Sequence, residues 1–443
     1  MRQSALPVLL YLLFSVLATL LVAPTMPPFQ NADETNHVLR ASQISHLGLL
    51  ARRLPDGEQG GWVDSGLRRA AAPFSSIPFH DDAKVSRGMY APQDWGRLEP
   101  AGFPNTAVNP PFFYIPAAAG LALARAVHAT VLHGVLAARL ATGAAAIMTG
   151  TAALVLADGA SLWLFSLLLL PMSLALTATA SQDALLLAGT ALAAALAHRL
   201  RREHSAWRFI AAVLLFTLVA MARPPYAAFA LVLLAARAPL HVRLAGVAAV
   251  AVAAVAWALL DAPHVVLAVF PNGAVDPAAQ AWGLVMAPWR LVHVLDATWH
   301  VHGQGLLVSF IGEPGWLDVD LPRRYHIAAR VVLVLALLSL FAKGRRQLSR
   351  GECAGLAGIL AAILGVMLLQ YLTWTVPGAT AIEGLQGRYF IPPALMLAAV
   401  LAPVQPEAPD RRRWSQALRW TILLFPLLSL SVLMHALLLR YYF

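Results

Sequence analysis

Twelve runs of apolar residues, separated by short polar or basic segments, constrain this chain more than any other feature of its sequence. They lie near residues 6–23, 112–127, 134–157, 161–178, 183–198, 207–222, 225–236, 244–260, 327–342, 354–373, 389–403 and 418–439. Hydrophobic residues make up 59% of the chain and charged residues 12%, whereas soluble domains carry about 25% charged residues. A membrane-spanning helix needs about 20 residues, so the sequence predicts an all-α integral membrane protein with about 11–13 membrane helices, some of them tilted, partial or re-entrant.

The net charge of +10 comes almost entirely from arginines that cluster between the apolar runs. This pattern is typical of cytoplasmic loops in membrane proteins and not of a nucleic-acid interface, so no nucleic-acid partner is expected. One cysteine, Cys353, excludes a disulfide framework and a cysteine-based metal cluster. The clusters predicted to be cytoplasmic are Arg2, Arg199/Arg201/Arg202, Arg237/Arg243, Lys343/Arg345/Arg346/Arg350 and Arg411/Arg412/Arg413.

With this orientation, we expect residues 1–443 to form one transmembrane domain with two long loops on the outer face. The first loop, 24–111, includes a predicted amphipathic helix at about 31–52, and the second, 261–326, carries tryptophans typical of interfacial helices. Residue 112 is predicted to lie outside and residue 199 inside, so the chain must cross the membrane an odd number of times between them. This stretch contains four apolar runs. We therefore expect one of them, the run 161–178 with Pro171, to enter the membrane without spanning it.

Directly after the first run, the chain reads Pro27-Pro28-Phe29-Gln30-Asn31-Ala32-Asp33-Glu34-Thr35-Asn36-His37-Val38-Leu39-Arg40. Prolines end one helix and Asn31 is suited to cap the next. On that helix Asp33, His37 and Arg40 share one face, while Glu34 lies about 100° away. The three side chains suit a base, its orienting partner and an anion clamp. The alternative is an N-terminal capping pair followed by an exposed helical face.

Four further segments place polar groups at predicted membrane edges. Asn109-Pro110-Pro111-Phe112-Phe113-Tyr114 marks re-entry into the membrane, and Ser181-Gln182-Asp183 puts a carboxylate at a helix boundary. Arg223-Pro224-Pro225-Tyr226 and Gln386-Gly387-Arg388-Tyr389-Phe390 each place an arginine at the outer edge. Charges at such depth are costly and usually paired or functional, and arginine is well shaped to hold a phosphate. The alternative for each arginine alone is interfacial snorkelling.

In this order the motifs resemble a family of bacterial polytopic membrane proteins, domain of unknown function 2142, over about residues 5–440. That family is similar to the GT-C superfamily of membrane glycosyltransferases, which implies a GT-C-like helix arrangement. GT-C enzymes use a polyprenyl-phosphate-linked sugar and an acceptor on the outer face, with an acidic residue of the first outer loop as catalytic carboxylate. The resemblance gives that role to Asp33, with Glu34 as the adjacent alternative.

The same resemblance matches Asp183 to a second acidic position that holds a metal or the acceptor in some members. Because a strict Asp-x-Asp is missing from the first loop, no cofactor is assigned. A divalent cation, if one takes part, would be held by Asp33, Glu34 and Asp183. The predicted substrate-binding residues are His37, Arg40, Asp183, Arg223, Gln386, Arg388 and Tyr389.

The expected reaction is inverting transfer of a sugar from polyprenyl phosphate to an envelope glycan or lipid acceptor. The expected location is the bacterial inner membrane, with the site on the periplasmic or exterior side and membrane lipid around the helices. Two other functions remain open at this point. A transporter or flippase for a lipid-linked glycan predicts ionisable residues in the middle of several spans, and a non-catalytic scaffold of envelope-glycan assembly predicts that Asp33 is dispensable.

Overall fold

The twelve apolar runs all coincide with helices in a computed structural model, which describes residues 2–55, 57–261, 269–270, 273–341, 347–403 and 412–443. Of the predicted cytoplasmic residues, Lys343, Arg345, Arg346 and Arg411 lie outside the described residues. The α-helices are α1 (Arg2–Thr25), α2 (Glu34–Ser45), α3 (Ser65–Ala71), α4 (Pro104–Ala107), α5 (Ile115–Ala126), α6 (Val131–Leu156), α7 (Ser161–Leu168), α8 (Pro171–Thr177), α9 (Gln182–Leu200), α10 (Ala206–Ala222), α11 (Leu240–Asp261), α12 (Pro277–Met286), α13 (Trp289–Ile311), α14 (Arg323–Ser339), α15 (Arg350–Trp374), α16 (Ile391–Leu401) and α17 (Arg412–Tyr441).

Six helices within the described residues are long and apolar enough to cross a bilayer: α1, α6, α9, α11, α15 and α17. Leu9, Leu13 and Leu20 of α1 are each more than half exposed, as expected for side chains that face lipid. By contrast, 83% of the apolar stretch of α9 is buried inside the protein, and this helix packs against α6, α10 and α16. The chain is thus an all-α membrane protein with α9 near its centre.

The run 161–178 does not form one straight helix. Its two halves, Asp158–Leu168 and Pro171–Thr177, are bent by 79° at the break between them, where Pro171 occupies the first position of α8. Proline lacks an N–H and clashes with the preceding turn, so a helix is interrupted there. Such a break is found both in broken spans and in re-entrant segments, so the expectation that the run 161–178 enters the membrane without spanning it stays a prediction.

The run 225–236 folds as a 3₁₀ helix, Pro224–Ala235, which lies against α15. Gly358 of α15 permits the contact, because a Cβ at this position would lie 2.3 Å from the carbonyl oxygen of Ala228. Shorter 3₁₀ helices are Ala72–Phe74, Arg87–Tyr90, Pro111–Tyr114, Asp158–Ala160 and Gly387–Phe390.

The first long loop differs from its prediction in two respects. The helix expected at 31–52 is only Glu34–Ser45, and nearly all of it is buried rather than exposed at an interface. The loop also contains an antiparallel sheet in the order β1 (Arg52–Arg53), β2 (Gln59–Asp64), β3 (Leu98–Gly102), with Trp62 opposite Pro100. The sheet packs on α2, so this loop is a folded cap that fixes where α2 begins.

In the second long loop, α12 and α13 confirm the prediction of helices, and Trp282, Trp289 and Trp299 are exposed. A short two-stranded sheet, β4 (Val269–Phe270) and β5 (Gly273–Ala274), precedes them, and residues 262–268 and 271–272 of this loop lie outside the described residues. After α13, the carbonyl of Gly315 accepts a hydrogen bond from the N–H of Ala32 at 3.0 Å. The second loop therefore supports the residues that lead into Asp33.

Candidate functional site

Asp33 stands at the start of α2 in a backbone conformation that few residues adopt. It is the N-cap residue, with φ 59° and ψ 9° in the left-handed region, which aspartate and asparagine tolerate better than most side chains. Its side chain makes no capping bond. Instead, the amide of Asn105 donates to Oδ1 at 2.8 Å and the Arg388 guanidinium lies 3.7 Å from Oδ2. The strained turn thus directs this carboxylate toward Arg388.

Asp183 lies in the first turn of α9, where the helix dipole favours a negative charge. Ser181 caps the helix by accepting a hydrogen bond from the Asp183 N–H. The Asp183 carboxylate is 3.7 Å from Arg388 and 3.5 Å from Arg223. Four side chains from four distant segments therefore form a continuous series, Asp33–Arg388–Asp183–Arg223.

One aromatic ring, that of Tyr389, contacts both arginines. The Arg223 guanidinium lies 4.1 Å and that of Arg388 5.6 Å from the centre of the Tyr389 ring, which are distances of cation–π contact. Tyr226 donates from its hydroxyl to the carbonyl of Tyr389 at 2.7 Å. Tyr389, predicted as substrate-binding, thus lies in the site as a platform beneath both guanidinium groups.

Gly387 determines how closely the segment that carries Arg388 packs against α13. A Cβ at Gly387 would lie 2.1 Å from the carbonyl oxygen of Leu306 in α13, so only glycine permits this approach. The Gly387 N–H donates to the hydroxyl of Ser309, one turn further along the same helix. The Gln-Gly-Arg-Tyr stretch therefore depends on α13 of the second loop for its position.

His37 is buried and its Nδ1 lies 2.6 Å from the Tyr114 hydroxyl. Burial lowers the pKa of the His37 imidazole, because the charged form loses its hydration. Asp183, Asp33 and Glu34 are near enough to oppose this shift, and Arg388 adds to it. His37 therefore lies within electrostatic reach of the charged groups of the site, while its predicted role in binding substrate stays a prediction.

Two polar atoms of the site are buried without a partner within the described residues. They are the side-chain oxygen of Gln386 and Nε of Arg388. The amide oxygen of Gln182, the neighbour of Asp183, is also buried without a hydrogen-bond partner. A buried polar atom without a hydrogen bond costs free energy. These atoms therefore keep hydrogen-bonding capacity for a polar ligand, and the predicted binding role of Gln386, two residues before Arg388, stays a prediction.

A small cavity lies against the charged groups Asp183, Arg223 and Arg388. Asp183, Arg223, Arg388 and Tyr226 supply its polar lining, while Leu176, Leu186, Leu187 and Pro392 supply an apolar lining. Its open space, about 10 Å³, is close to that of a single water molecule, so a larger ligand requires the side chains around it to move apart.

Glu34 has a structural position instead of the catalytic one considered from the sequence. Its carboxylate is fully buried and binds Arg139 of α6 through both oxygens, at 2.7 and 2.6 Å. Arg139 also donates to the carbonyls of Ala23, Met26 and Pro27. Glu34 and Arg139 therefore join the end of α1 to α6, and Glu34 does not face Arg388.

Arg40 likewise differs from its prediction as an anion clamp. The Arg40 guanidinium is completely buried and donates to the side chain of Gln43 and to the carbonyls of Leu49 and Asn109. These bonds tie α2 to the segments that follow it and to the Asn-Pro-Pro motif. The shared helical face correctly grouped Asp33 with His37, but the longer Arg40 side chain extends to backbone carbonyls instead.

The three conditional metal ligands do not form one set. Asp33 and Asp183 both face Arg388, whereas Glu34 is bound to Arg139. Among the described residues no group of three His, Cys, Asp or Glu side chains could hold a metal ion. The two carboxylates of the site are instead neutralised by arginines.

The ion pairs of the site are longer than the buried ion pairs elsewhere in the described residues. Glu34–Arg139 and Asp318–Arg440 close at 2.6 Å, while the three contacts that link Asp33, Arg388, Asp183 and Arg223 measure 3.5–3.7 Å. Charge-assisted hydrogen bonds are typically about 2.7–2.9 Å, and catalytic contacts are often long before substrate binds. The longer spacing leaves the arginines able to turn toward another anion.

Sequence reasoning missed Arg139, Asn105 and the hydrogen bond between His37 and Tyr114. Arg139 did give a signal, since a charge inside the apolar run 134–157 requires a partner. Asn105 gave none, because its contact with Asp33 depends on how the first loop folds.

A family model described as a predicted membrane protein (DUF2142) matches residues 14–397. Comparisons with curated proteins and with solved structures found no match. The matched range contains Asp33, His37, Asp183, Arg223 and Arg388, so all the charged groups of the site lie inside it.

Proposed function

This chain belongs to the DUF2142 family of predicted membrane proteins, and we propose that it is a membrane glycosyltransferase of the GT-C type. It would move a sugar from a polyprenyl-phosphate donor to an envelope glycan or lipid acceptor. The observation that carries the proposal is the series Asp33–Arg388–Asp183–Arg223, which joins a partly accessible carboxylate to two arginines beside an apolar cavity.

The donor's phosphate matches the arginine half of this series. Arg388 and Arg223 present two guanidinium groups, a geometry suited to phosphate oxygens. Leu176, Leu186 and Leu187 line the same cavity, so an apolar chain attached to the phosphate finds an apolar wall. This pairing of charge and apolar surface favours a lipid phosphate over a soluble one.

The remaining polar groups of the site suit the sugar of the donor. Hydroxyl groups need both donors and acceptors, and the unpartnered amide oxygens of Gln386 and Gln182 are acceptors. Asp33 and Arg223 are the more accessible members of the series, with 26% and 22% of their side chains exposed, against 6% for Arg388 and 9% for Asp183. Asp33 is thus the carboxylate of the series that an acceptor molecule arriving from outside would reach first.

In the proposed reaction Asp33 takes the proton of an acceptor hydroxyl as that oxygen attacks the anomeric carbon. The bond between this carbon and the phosphate oxygen breaks, and polyprenyl phosphate leaves with both bonding electrons. Attack opposite the leaving group inverts the anomeric configuration. Arg388 and Arg223 stabilise the charge that develops on the phosphate, a contribution that is often the largest in such sites.

The location follows from the charge pattern. With the arginine clusters at 199–202 and 237–243 on the cytoplasmic side, the site would face the periplasm or exterior of a bacterial inner membrane. A polyprenyl-linked donor presented in the outer leaflet would reach the cavity from the lipid.

The decisive variant is Asp33→Asn, which keeps the size of the side chain and the tolerance for positive φ. Purified protein in nanodiscs is given radiolabelled polyprenyl-phosphate sugars with a membrane glycan extract as acceptor, and release of polyprenyl phosphate is measured. We expect a loss of about 10²–10⁴-fold, the usual contribution of a general base. Asp81→Asn, an exposed aspartate in the same loop, is the matched control and should keep full activity.

The same assay separates the alternatives. Equal turnover by Asp33→Asn and the parent protein would remove Asp33 from the catalytic role. No release of polyprenyl phosphate by the parent protein with any donor would favour the scaffold, and movement of an intact lipid-linked glycan across the bilayer without cleavage would favour the transporter. The proposed enzyme cleaves the sugar–phosphate bond and leaves the glycan on the side where it is made.

A further inference from the structure

The Tyr114 hydroxyl stands between two nitrogens, and this arrangement determines which of its partners donates. Tyr114 is fully buried in the Asn-Pro-Pro-Phe-Phe-Tyr motif. Within the described part of the chain its hydroxyl has two hydrogen-bond partners, the side-chain amide nitrogen of Asn109 at 2.9 Å and Nδ1 of His37 at 2.6 Å. The proline motif thus does more than return the chain to the membrane.

The hydrogens can be assigned from the chemistry of the three groups. The amide nitrogen of Asn109 can only donate, so the Tyr114 oxygen accepts from it. The single hydrogen of the hydroxyl then needs an acceptor, and His37 Nδ1 is the one within reach. A ring nitrogen accepts only when it carries no proton, so the remaining proton of a neutral imidazole is on Nε2.

The surroundings keep the imidazole neutral. Burial lowers the pKa of His37, and the charge of Arg388 acts in the same direction. The carboxylates that face it from α9 and from the start of α2, namely Asp183, Asp33 and Glu34, act in the opposite direction without reversing the shift. The Tyr114 hydroxyl keeps its proton at neutral pH, because the ordinary pKa of a phenol is about 10.

We propose that Asn109 and Tyr114 are positioning residues that hold His37 as the Nε2–H tautomer, so that His37 serves the site as a neutral hydrogen-bond donor. Nε2 has no protein partner within the described residues and is therefore available to an oxygen of the substrate. This divides the chemistry, with Asp33 as base and His37 as donor. The part of the proposal that concerns substrate rests on the proposed function, while the tautomer itself does not.

The direct test is ¹⁵N NMR of the full chain in nanodiscs with ¹⁵N-labelled histidine. The chain has 14 histidines, so the signals of His37 are identified by their loss in His37→Gln. At pH 7 we expect His37 to be protonated on Nε2 and unprotonated on Nδ1. Protonation on Nδ1, or a doubly protonated ring, in the parent protein would overturn the proposal.

Asn109→Asp provides the sharper variant, because it reverses the direction of the hydrogen bonds. A carboxylate at position 109 accepts the Tyr114 hydroxyl hydrogen, so the Tyr114 oxygen must then accept from His37 Nδ1–H. We expect the His37 signals to change to an Nδ1-protonated ring, either neutral or charged. A residue that only supports the fold would leave the tautomer unchanged, and that result would contradict the proposal.

Tyr114→Phe removes the hydroxyl, with Tyr90→Phe as its control, since Tyr90 bonds Tyr442 instead. Tyr114→Phe should raise the pKa at which His37 gains its second proton, whereas Tyr90→Phe should leave it unchanged. In the transfer assay the acidic limb of the pH profile should move upward with Tyr114→Phe. If the NMR result holds and no variant of the protein transfers sugar, the tautomer stands and the proposed function fails.

Discussion

At the scale of single residues, two neighbouring carboxylates of one motif have opposite roles. Asp33 and Glu34 are adjacent in sequence, but Asp33 is partly exposed beside Arg388 whereas Glu34 is fully buried against Arg139. The sequence grouped Asp33 with His37 correctly because helical spacing determines which side chains share a face. It could not distinguish a structural carboxylate from a catalytic one, since the partner of Glu34 lies 105 residues away.

Glu34→Gln should therefore affect stability more than Asp33→Asn. It leaves the buried charge of Arg139 without a counter-charge, a change that costs about 3–5 kcal/mol in buried pairs. The three carbonyls that also accept from Arg139 favour the lower end of this range. Thermal unfolding in detergent measures the difference. Equal melting temperatures for Glu34→Gln and Asp33→Asn would contradict the structural role of Glu34.

Glu313, in the loop that supports Asp33, should make stability depend on pH. Burial and the nearby charges of Asp320 and Asp318 raise its pKa to about 7. The folded protein thus holds a proton that the unfolded chain has already released above its ordinary pKa of 4.5, so this contribution to stability is present below pH 4.5 and is lost as pH rises through 7.

Glu313→Gln removes this dependence. Its melting temperature relative to the parent protein should rise between pH 5 and pH 8, because glutamine cannot acquire the unfavourable charge. Unfolding of both proteins across this range provides the measurement, with Asp81→Asn as a control for a change of charge at the surface. A difference that stays constant with pH would show that Glu313 titrates as an ordinary surface carboxylate.

At the scale of elements, the apolar runs predicted where helices form. They did not predict that one of them is a 3₁₀ helix, nor that the first loop contains strands. All twelve runs are helical because apolar length in a lipid-exposed chain favours helices. Residues 224–235 form a 3₁₀ helix behind two prolines, and the strand Gln59–Asp64 has no alternation of polar and apolar residues that would have revealed it. Both depend on tertiary contacts, with α15 in the first case and with β1 and β3 in the second.

Gly358 tests the close contact between α15 and that 3₁₀ helix. Gly358→Ala places a Cβ 2.3 Å from the Ala228 carbonyl oxygen, so the two elements must separate and the protein should lose stability despite the higher helix propensity of alanine. Gly305→Ala in α13, where a Cβ meets nothing within 4 Å, is the matched control and should be neutral or stabilising by up to about 1 kcal/mol. A lower melting temperature for Gly305→Ala than for Gly358→Ala would contradict this packing.

At the scale of the whole molecule, the site exists only because distant segments meet. Asp33 follows α1, Asp183 begins α9, Arg223 ends α10, and Arg388 precedes α16. The two long loops add the support, since α2 rests on the sheet of the first loop and the Ala32 N–H is held by the second. The sequence identified the chemical groups and predicted that they meet, but the distances between them required the fold.

The most direct test of this account is a structure of the protein in nanodiscs with a short-chain polyprenyl phosphate bound, determined by cryo-electron microscopy. The phosphate should lie within hydrogen-bond distance, about 3 Å, of the Arg388 and Arg223 guanidinium groups, with its apolar chain along Leu176 and Leu187. Arg388→Gln should weaken binding, and Arg87→Gln, an exposed arginine of the first loop, should not. A phosphate bound instead near Arg201 and Glu352, whose ion pair joins α15 to the end of α9, would contradict the account.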